Sequence, residues 1–232
     1  MTLSLVTGVG ARGQVGEAVA RRLAMRGDRT IIVSRSADEI QQRAAEFRAE
    51  GLDIAGYACD LADVSAVSQL AERVAREHGR ALDNLVNLAG GFASSGPLAG
   101  SDPAVVHRMW SINFLTAYLT TRAFLPLMTS AGGSIVFFAS EVVLENTRTK
   151  GVAGYAAAKS AVVALMRSVA DEGRAVNVRA NALAPASIRT SSNEASMGSD
   201  IRYVEREEVA DTVTFLCSAA AQAVSGQIIR LG

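Results

Sequence analysis

The sequence is poor in cysteine and carries no excess of either charge. Its 232 residues include only Cys59 and Cys217, which are far apart and form no CxxC pair. We therefore expect no disulfide scaffold, and a reducing, cytoplasmic setting is the simplest expectation. Basic and acidic residues both number 23. This balance argues against a nucleic-acid partner, because nucleic-acid-binding proteins usually carry a basic excess.

We also expect no secretory leader, and the sequence contains no long uninterrupted apolar run. Residues Met1 to Val6 carry no basic segment, and the first glycines follow immediately. The longest apolar stretch, Ile112–Met128, is interrupted by Arg122 and Pro126. It predicts a buried helix, so we expect no membrane association.

Short apolar runs alternate with amphipathic segments along the whole chain. This alternation is typical of an α/β fold with a parallel sheet covered by helices on both faces. We predict one domain over residues 1–232, a Rossmann-like doubly wound sheet of about seven strands. The predicted strands are Leu3–Thr7, Thr30–Ser34, Ile54–Cys59, Leu82–Leu88, Ser134–Ala139, Asn177–Ala182 and Gln227–Leu231. The predicted helices are Val15–Met25, Asp38–Glu50, Val64–Glu77, Pro103–Met128, Ala153–Gly173 and Glu205–Ser218.

One stretch between the late elements, Ser187–Asp200, is rich in Ser, Gly and Asn and shows no regular pattern. Long irregular connections in compact domains are often functional. We expect this segment to form a mobile loop over a site, and we call residues 187–204 the substrate loop.

A glycine-rich stretch joins the first strand to the first helix. Gly8, Gly10 and Gly13 fit the pattern G-x-G-x-x-G, and Gly16 extends it; we call residues 8–16 the glycine loop. Glycines permit a tight turn and the close approach of a pyrophosphate, while the helix N-terminus supplies free N–H groups. The position after a strand favours a dinucleotide site over the alternative, a plain glycine-rich turn.

The end of the second strand bears on the choice of cofactor. Dinucleotide sites place an acid there for the ribose hydroxyls or a basic residue for a 2′-phosphate. Here Arg35 follows the strand, with Asp38 just beyond, and Arg12 lies in the glycine loop. We therefore expect NADP(H), with NAD(H) as the alternative.

Tyr155 and Lys159 lie four residues apart in a predicted helix, so their side chains share one face. Lysine is scarce: among 23 basic residues, only Lys150 and Lys159 are lysines. A nearby ammonium should lower the pKa of the Tyr155 phenol and suit it to proton transfer. The alternative is an ordinary surface pair at helical spacing.

These landmarks, taken in order, resemble the short-chain dehydrogenase/reductase family over nearly the whole chain, in particular its 3-oxoacyl-carrier-protein-reductase-like members. The matching elements are Thr7-Gly8 with Arg12-Gly13 and Gly16, Cys59-Asp60-Leu61, Asn87-Leu88-Ala89-Gly90, Asn113, Ser140, Tyr155 with Lys159, and Asn181-Ala-Leu-Ala-Pro185. The resemblance implies that Tyr155 is the general acid/base and that Ser140 orients the substrate oxygen. It also implies that Lys159 holds the nicotinamide ribose and that Asn113 anchors a water.

The full set of implied residues follows from this resemblance. The implied catalytic residues are Asn113, Ser140, Tyr155 and Lys159. The implied cofactor-binding residues are Gly8, Gly10, Arg12, Gly13, Gly16, Arg35, Asp60, Leu61, Asn87, Ala89, Gly90, Tyr155, Lys159, Pro185 and Ile188. The residues expected to line the substrate pocket are Phe92, Ser140, Val142, Leu144, Asn146, Tyr155 and Ser187. No metal site is expected, and the family's tetramers imply a homo-oligomer, a dimer or tetramer.

Three of these residues also have structural interpretations. Ser140 could cap a strand, Asn113 could be a buried polar group satisfied by backbone, and Asp60 could be a helix N-cap.

The chain departs from the family pattern in several places, one of which is a slightly longer spacing from Ser140 to Tyr155 that enlarges or reshapes one pocket wall. The glycine loop has one extra residue between Gly8 and Gly13 and another between Gly13 and Gly16. Leu88 replaces an Asn. Ala186 replaces a Gly, so the backbone at position 186 must avoid positive φ. Glu141, directly after Ser140, could meet a polar or cationic substrate group or pair with an arginine. We expect the phosphate loop and the pocket wall to differ most.

The leading hypothesis is an NADP(H)-dependent oxidoreductase that acts on a carbonyl/alcohol pair, most simply as a ketone reductase with a small-molecule substrate. A second hypothesis is a catalytically silent nucleotide-binding regulator on the same fold. A third is an NAD-dependent dehydrogenase of a sugar or steroid-like alcohol. The sequence does not discriminate among substrates.

Overall fold

The computed structural model describes residues 1–128 and 132–232, which contain seven strands and eight α-helices. The strands are β1 (Leu3–Thr7), β2 (Arg29–Ser34), β3 (Ile54–Ala58), β4 (Asn84–Asn87), β5 (Gly133–Phe138), β6 (Val178–Pro185) and β7 (Ile228–Leu231). The helices are α1 (Val15–Met25), α2 (Ala37–Ala49), α3 (Val64–His78), α4 (Pro103–Met109), α5 (Thr116–Phe124), α6 (Ala153–Gly173), α7 (Ser191–Met197) and α8 (Arg206–Leu216).

All seven strands form one parallel sheet in the order β3-β2-β1-β4-β5-β6-β7. Successive strand side chains point to opposite faces, and both faces are covered. Leu5 and Ile31 belong to a buried cluster that includes residues of α3, α5 and α6. Val6 and Ile32 belong to the cluster on the other face, formed with α1, α2 and α8. The predicted fold class, a Rossmann-like doubly wound sheet, is confirmed.

The sheet topology determines where a site can form. β1 lies between β2 and β4, so the chain leaves the centre of the sheet in two opposite directions. A crevice opens at the carboxyl ends of strands where such a reversal occurs. The glycine loop, the end of β4, the end of β5 and the end of β6 all lie at this edge.

The predicted long helix Pro103–Met128 is helical from Pro103 to Leu127, but it is not α-helical throughout. α4 and α5 are separated by a π-helical turn, Trp110–Leu115, and a 3₁₀ turn, Leu125–Leu127, follows α5. A π-helical turn is wider than an α-helical one and often occurs at functional sites. Asn113 lies inside this turn, buried at 1% exposure. The apolar pattern predicted the helix but gave no signal for the change in its winding.

Most predicted strand bounds differ from the structure by one residue, and the larger differences are in β4 and β6. β4 begins at Asn84 instead of Leu82, because the Leu82 N–H donates to the Leu127 carbonyl outside the sheet (3.0 Å). β6 extends to Pro185 instead of ending at Ala182, because its last residues pair with β7.

The sequence predicted an irregular substrate loop, but part of this loop is helical. It contains α7, whose first turn is capped by Thr190: the Asn193 N–H donates to the Thr190 hydroxyl (3.1 Å). At its base, Ile188 and Val204 form a parallel bridge. The sequence interpretation overlooked this cap because the segment lacks apolar periodicity.

Both cysteines are free and buried, and burial raises the thiol pKa to about 11 at Cys59 and about 12 at Cys217. Among the helices of residues 1–128 and 132–232, none combines the length and the apolar character needed to cross a membrane.

Gly56 on β3 allows α2 to pack closely on the sheet. A Cβ at this position would lie 2.7 Å from the Ile40 carbonyl oxygen and 3.1 Å from the Ala44 methyl. We predict that Gly56→Ala forces α2 away from the sheet and lowers the free energy of unfolding by about 1–3 kcal/mol, as overpacking typically does. Urea denaturation measures the change.

Gly100→Ala is the matched control, because a Cβ there would meet no atom within 4 Å. A Gly56→Ala protein as stable as this control would show that α2 adapts without cost.

Candidate active site

Ser140, Tyr155 and Lys159 meet at the carboxyl end of β5. Ser140 follows β5 and is extended (φ −165°), while Tyr155 and Lys159 lie one turn apart on α6. The Ser140 hydroxyl lies close enough to Tyr155 to oppose the rise in the pKa of its phenol. The Ser140 oxygen accepts from the Val142 N–H (3.4 Å), so Ser140 caps the 3₁₀ turn Glu141–Val143. The structure therefore brings the three residues together at this end of the sheet.

Tyr155 does not have the lowered pKa that the sequence argument expected. Burial raises the pKa of its phenol, the nearby Ser140 hydroxyl opposes this rise, and the Glu141 carboxylate adds to it. The Lys159 ammonium lies over the Tyr155 ring, 5.8 Å from its centre, and does not offset the effect of burial. The expected lowering of the Tyr155 pKa is therefore not found.

Lys159 is buried, with 6% of its surface exposed, and its Nζ donates to the Phe138 carbonyl of β5 (2.7 Å). Removal of the ammonium from water lowers its pKa to about 8. Two of its three N–H donors make no hydrogen bond to the described residues. Lys159 thus has two N–H donors available for a ligand. Its lowered pKa means that it loses a proton more readily than a lysine in water.

Asn113 clamps the loop that follows β4. Its Nδ2 donates to the carbonyls of Gly91 and Met109 (both 3.0 Å), and its Oδ1 accepts from the Gly91 N–H (3.2 Å). The side chain is therefore satisfied by backbone, as the structural interpretation held. A Cβ at Gly90 would lie 2.6 Å from Asn113 Oδ1 and 3.5 Å from Lys159 Nζ. Gly90 is thus where Asn113 and Lys159 come together.

The glycines of the glycine loop have different structural roles. Gly8 (φ +75°) would place a Cβ 2.7 Å from the Ala89 Cα, and Gly16 would place one 2.7 Å from the Gly8 carbonyl oxygen. These two glycines permit β1, β4 and α1 to pack together. A Cβ on Gly13 (φ +73°) would collide with the Ser191 hydroxyl, whereas one on Gly10 would meet nothing within 4 Å. Gly10 alone among them borders open space.

The N-terminus of α1 lies beside this space. Its N-cap, Gln14, makes no side-chain capping hydrogen bond. The first N–H groups of such a helix are unsatisfied by the helix itself and attract anions. One acid in the first turn, Glu17, accepts a hydrogen bond from the Gly13 N–H (2.7 Å) and faces Arg43 (3.7 Å). Its charge is therefore partly neutralised.

The two arginines expected to favour a 2′-phosphate are placed differently. Arg12 forms an ion pair with Glu46 of α2 (2.8 Å), which also pairs with Arg43 (2.6 Å). Arg35 directly follows β2, is exposed, and makes no ion pair with the described residues. Only Arg35 is free to meet an added anion without breaking an existing pair.

The other implied cofactor residues lie along the same edge of the sheet. Asp60 accepts from the Ala62 N–H (3.0 Å), whereas Asp63 caps α3, so the alternative role of Asp60 as a helix cap is wrong. The Leu61 side chain is buried in the core, which leaves only its backbone for a ligand. Asn87 donates to Thr121 (2.9 Å), and its buried Oδ1 has no hydrogen-bond partner in the described residues.

The ends of β4 and β6 complete the cofactor side. The Ala89 N–H donates to the Thr7 hydroxyl (3.0 Å), a contact that sequence reasoning overlooked. Pro185 ends β6, and Ile188 is fixed by its bridge to Val204. Ala186 has no positive φ, as expected for a position without glycine.

The substrate side is less enclosed. The Phe92 ring meets the Tyr155 ring edge-on (5.1 Å between centres) and is 66% exposed. Val142 adjoins the site through its N–H contact with Ser140, and Glu141 forms no ion pair with the described residues. The remaining predicted pocket residues are placed as follows: Leu144 packs against the core, Asn146 is exposed with φ +63°, and Ser187 lies at the base of the substrate loop near Met197.

Comparisons with known proteins identify the family to which this fold is similar. The family model for short chain dehydrogenases matches residues 4–199. Human dehydrogenase/reductase SDR family member 4 is 30% identical, over 94% of this chain and 82% of its own. A tropinone reductase homologue of Arabidopsis thaliana is 32% identical, over 97% and 87%. The structure of a gluconate 5-dehydrogenase from Burkholderia cenocepacia J2315, in complex with NADP and tartrate, matches with a TM-score of 0.91 and 28% identity, over 99% of this chain and 93% of that one.

The unpaired Glu141 provides a test of the electrostatics at Tyr155. Its negative charge disfavours the phenolate, so we predict that Glu141→Gln lowers the pKa of Tyr155. A pH titration of phenolate absorbance should show the Tyr155 transition at lower pH than in the parent protein. The same titration with Tyr155→Phe identifies which transition belongs to Tyr155.

Glu145→Gln is the control, since Glu145 is an exposed acid of the same loop and does not shift the Tyr155 pKa. A Tyr155 midpoint that stays in place in Glu141→Gln would mean that Glu141 does not act on it.

Proposed function

The chain belongs to the short chain dehydrogenase family of oxidoreductases, and from that premise we propose that it is an NADP(H)-dependent ketone reductase. In this proposal, hydride passes between the nicotinamide and a carbonyl/alcohol pair, and Tyr155 exchanges the proton. The observation that carries the proposal is the grouping of Ser140, Tyr155 and the buried Lys159 after β5, with the Lys159 ammonium over the Tyr155 ring (5.8 Å from its centre).

Tyr155 would serve as the general acid in reduction. Because burial raises the pKa of its phenol, Tyr155 holds its proton at neutral pH and can donate it to a carbonyl oxygen. Ser140, which lies beside Tyr155, would hydrogen-bond the same substrate oxygen. Two donors would then converge on the atom that gains negative charge, which is the arrangement that stabilises such a transition state.

Lys159 would bind the nicotinamide ribose with the donors that it does not use on Phe138. Its pKa of about 8 also lets it hold or release a proton near neutral pH. Asn113 fixes the adjacent loop through Gly91, and we retain for it the role of anchoring a water beside Lys159. This pathway would return a proton to Tyr155 after each turnover.

The residues of the cleft suit a dinucleotide. The open space at Gly10 and the uncapped N-terminus of α1 would receive the pyrophosphate. Arg35 would meet the 2′-phosphate, and the unpartnered Oδ1 of Asn87 leaves an acceptor at the end of β4. The cofactor, when bound, supplies or accepts the hydride. The NADP complex of the related gluconate 5-dehydrogenase supports this choice of cofactor.

One observation favours NAD(H) as a second candidate cofactor. Arg12, the other arginine expected at the 2′-phosphate, is already paired with Glu46. A dehydrogenase of an alcohol with NAD is therefore the runner-up, and a nucleotide-binding protein without turnover is the remaining possible outcome of the assays below.

We predict that Tyr155→Phe lowers turnover by at least about a hundredfold, because general acid/base catalysis contributes roughly 10²–10⁴. NADPH binding, measured by fluorescence titration, should change little. Turnover is measured by NADPH oxidation with a panel of ketones and aldehydes. Tyr118→Phe is the control, since Tyr118 is an exposed tyrosine of α5.

Near-normal turnover in Tyr155→Phe would remove the proposed acid. A parent protein that binds NADPH but oxidises it with no member of the panel would instead be a nucleotide-binding protein.

For the cofactor, we predict that Arg35→Asp weakens NADPH binding at least about tenfold relative to NADH, the loss expected for a charge-assisted hydrogen bond. Titration with both nucleotides gives the ratio of dissociation constants. Arg80→Asp, at an exposed arginine without an ion pair in the described residues, controls for net charge. An unchanged ratio would exclude Arg35 as the specificity residue.

A further inference from the structure

The lengthened glycine loop touches the substrate loop directly. The Ser191 N–H of α7 donates to the Gly13 carbonyl (3.3 Å), and the Gln14 Nε2 donates to the Ser192 hydroxyl (3.0 Å). Gly13 lies so close to α7 that a Cβ would collide with the Ser191 hydroxyl. The contact is made by the stretch that contains the extra residues of the loop.

The substrate loop is braced internally, so a contact at Ser191 and Ser192 acts on the whole of it. Arg189 pairs with Glu194 in α7 (2.9 Å) and with Glu205 at the start of α8 (2.8 Å). The Tyr203 hydroxyl donates to the Gly198 carbonyl at the end of α7 (2.6 Å). These contacts tie α7 to both ends of the loop.

The glycine loop is itself fixed by a hydrogen bond to α1, which in turn contacts α2. The Gly13 N–H donates to Glu17 of α1 (2.7 Å), Glu17 faces Arg43 of α2 (3.7 Å), and Arg43 pairs with Glu46 (2.6 Å). The peptide groups on the two sides of Gly13 thus bond in opposite directions, one to α1 and the other to α7. Gly13 is therefore held by α1 on one side and contacts α7 on the other.

We propose that Gln14 and Gly13 are positioning residues that hold α7 beside the active site, so that substrate binding depends on the glycine loop. The dependence on substrate rests on the proposed function, whereas the contact itself does not. Because Gln14 is also the N-cap of α1, an anion at the α1 N-terminus and the position of α7 are energetically linked, and the linkage is reciprocal.

Hydrogen exchange of the full-length protein tests the contact without turnover. In Gln14→Ala and in Ser192→Ala, amides of Ser191–Met197 should exchange about two- to tenfold faster, the range expected when one exposed hydrogen bond is lost. The double variant should add little to either single one, because both remove the same bond. NADPH should slow this exchange more in the parent protein than in Gln14→Ala.

The chain offers a matched control. Gln69 on α3 donates to the Ser65 hydroxyl (3.2 Å), an exposed Gln–Ser pair of the same kind. Gln69→Ala should leave the exchange of α7 unchanged. Equal α7 exchange in Gln14→Ala, Ser192→Ala and Gln69→Ala would overturn the proposal.

Kinetics provide the second readout. We expect Gln14→Ala to raise KM for a carbonyl substrate about threefold and, because the linkage is reciprocal, to weaken NADPH binding as well. An unchanged KM would overturn the dependence of substrate binding on Gln14. If no carbonyl is reduced by the parent protein, the proposed function fails, but the exchange comparison still decides whether Gln14 positions α7.

A second pair of variants tests Gly13. Gly13→Ala should accelerate α7 exchange, because the methyl group collides with Ser191, and Ser191→Gly added to it should restore part of the protection. The restoration is partial because an alanine at φ +73° remains strained. Acceleration that is identical with and without Ser191→Gly would show that the methyl group acts elsewhere.

Discussion

The close approach of backbone at the carboxyl ends of β1 and β4 is the constraint on which the site depends. Thr7 accepts hydrogen bonds from the N–H groups of Leu88 and Ala89 (both 3.0 Å), and Gly8 lies against Ala89 without room for a side chain. One residue further, Gly90 lies against Asn113 and Lys159. The segment 88–90 therefore joins the cofactor side of the crevice to the proposed proton-transfer side. A bulkier residue at either glycine would separate the two.

Lys159 and Tyr155 are buried at this junction, and their burial also determines their protonation. Lys159 has one carbonyl partner and little contact with water, so its pKa is lowered to about 8, while burial raises that of Tyr155. Both shifts favour the neutral forms, as burial alone must. The protein by itself thus keeps Tyr155 protonated, which suits the donation of a proton in reduction. The sequence argument expected the Lys159 charge to lower the pKa of the phenol. In the structure the ammonium lies over the Tyr155 ring and donates to Phe138, but burial determines the direction of the shift.

Sequence patterns predicted what depends on local periodicity. The strand and helix order, the spacing of Tyr155 and Lys159, and the start of α1 after the glycines all follow from residue type and position. The remaining features arise from tertiary approach. No sequence pattern predicts that Arg12 pairs with Glu46, that Asn113 lies in a π-helical turn, or that Gly13 contacts α7. Each depends on which segment lies opposite, and segments distant in the chain are brought together only by the fold.

The glycine loop shows why a family motif can change in length and keep its site. Gly8 and Gly16 are each confined by backbone atoms at 2.7 Å, so their positions cannot accept a side chain without moving β4 or α1. Between them the chain leaves the sheet and returns, and no atom lies within 4 Å of a Cβ at Gly10. In this stretch Gln14 donates to Ser192 of the substrate loop, and a Cβ at Gly13 would meet Ser191 and, at 3.6 Å, Arg206 at the start of α8. The two ends of the motif are therefore fixed by packing, while its middle is free to take a new contact. For Gly13 that contact is α7, so here the spacing of the glycines reflects helix packing as much as phosphate binding.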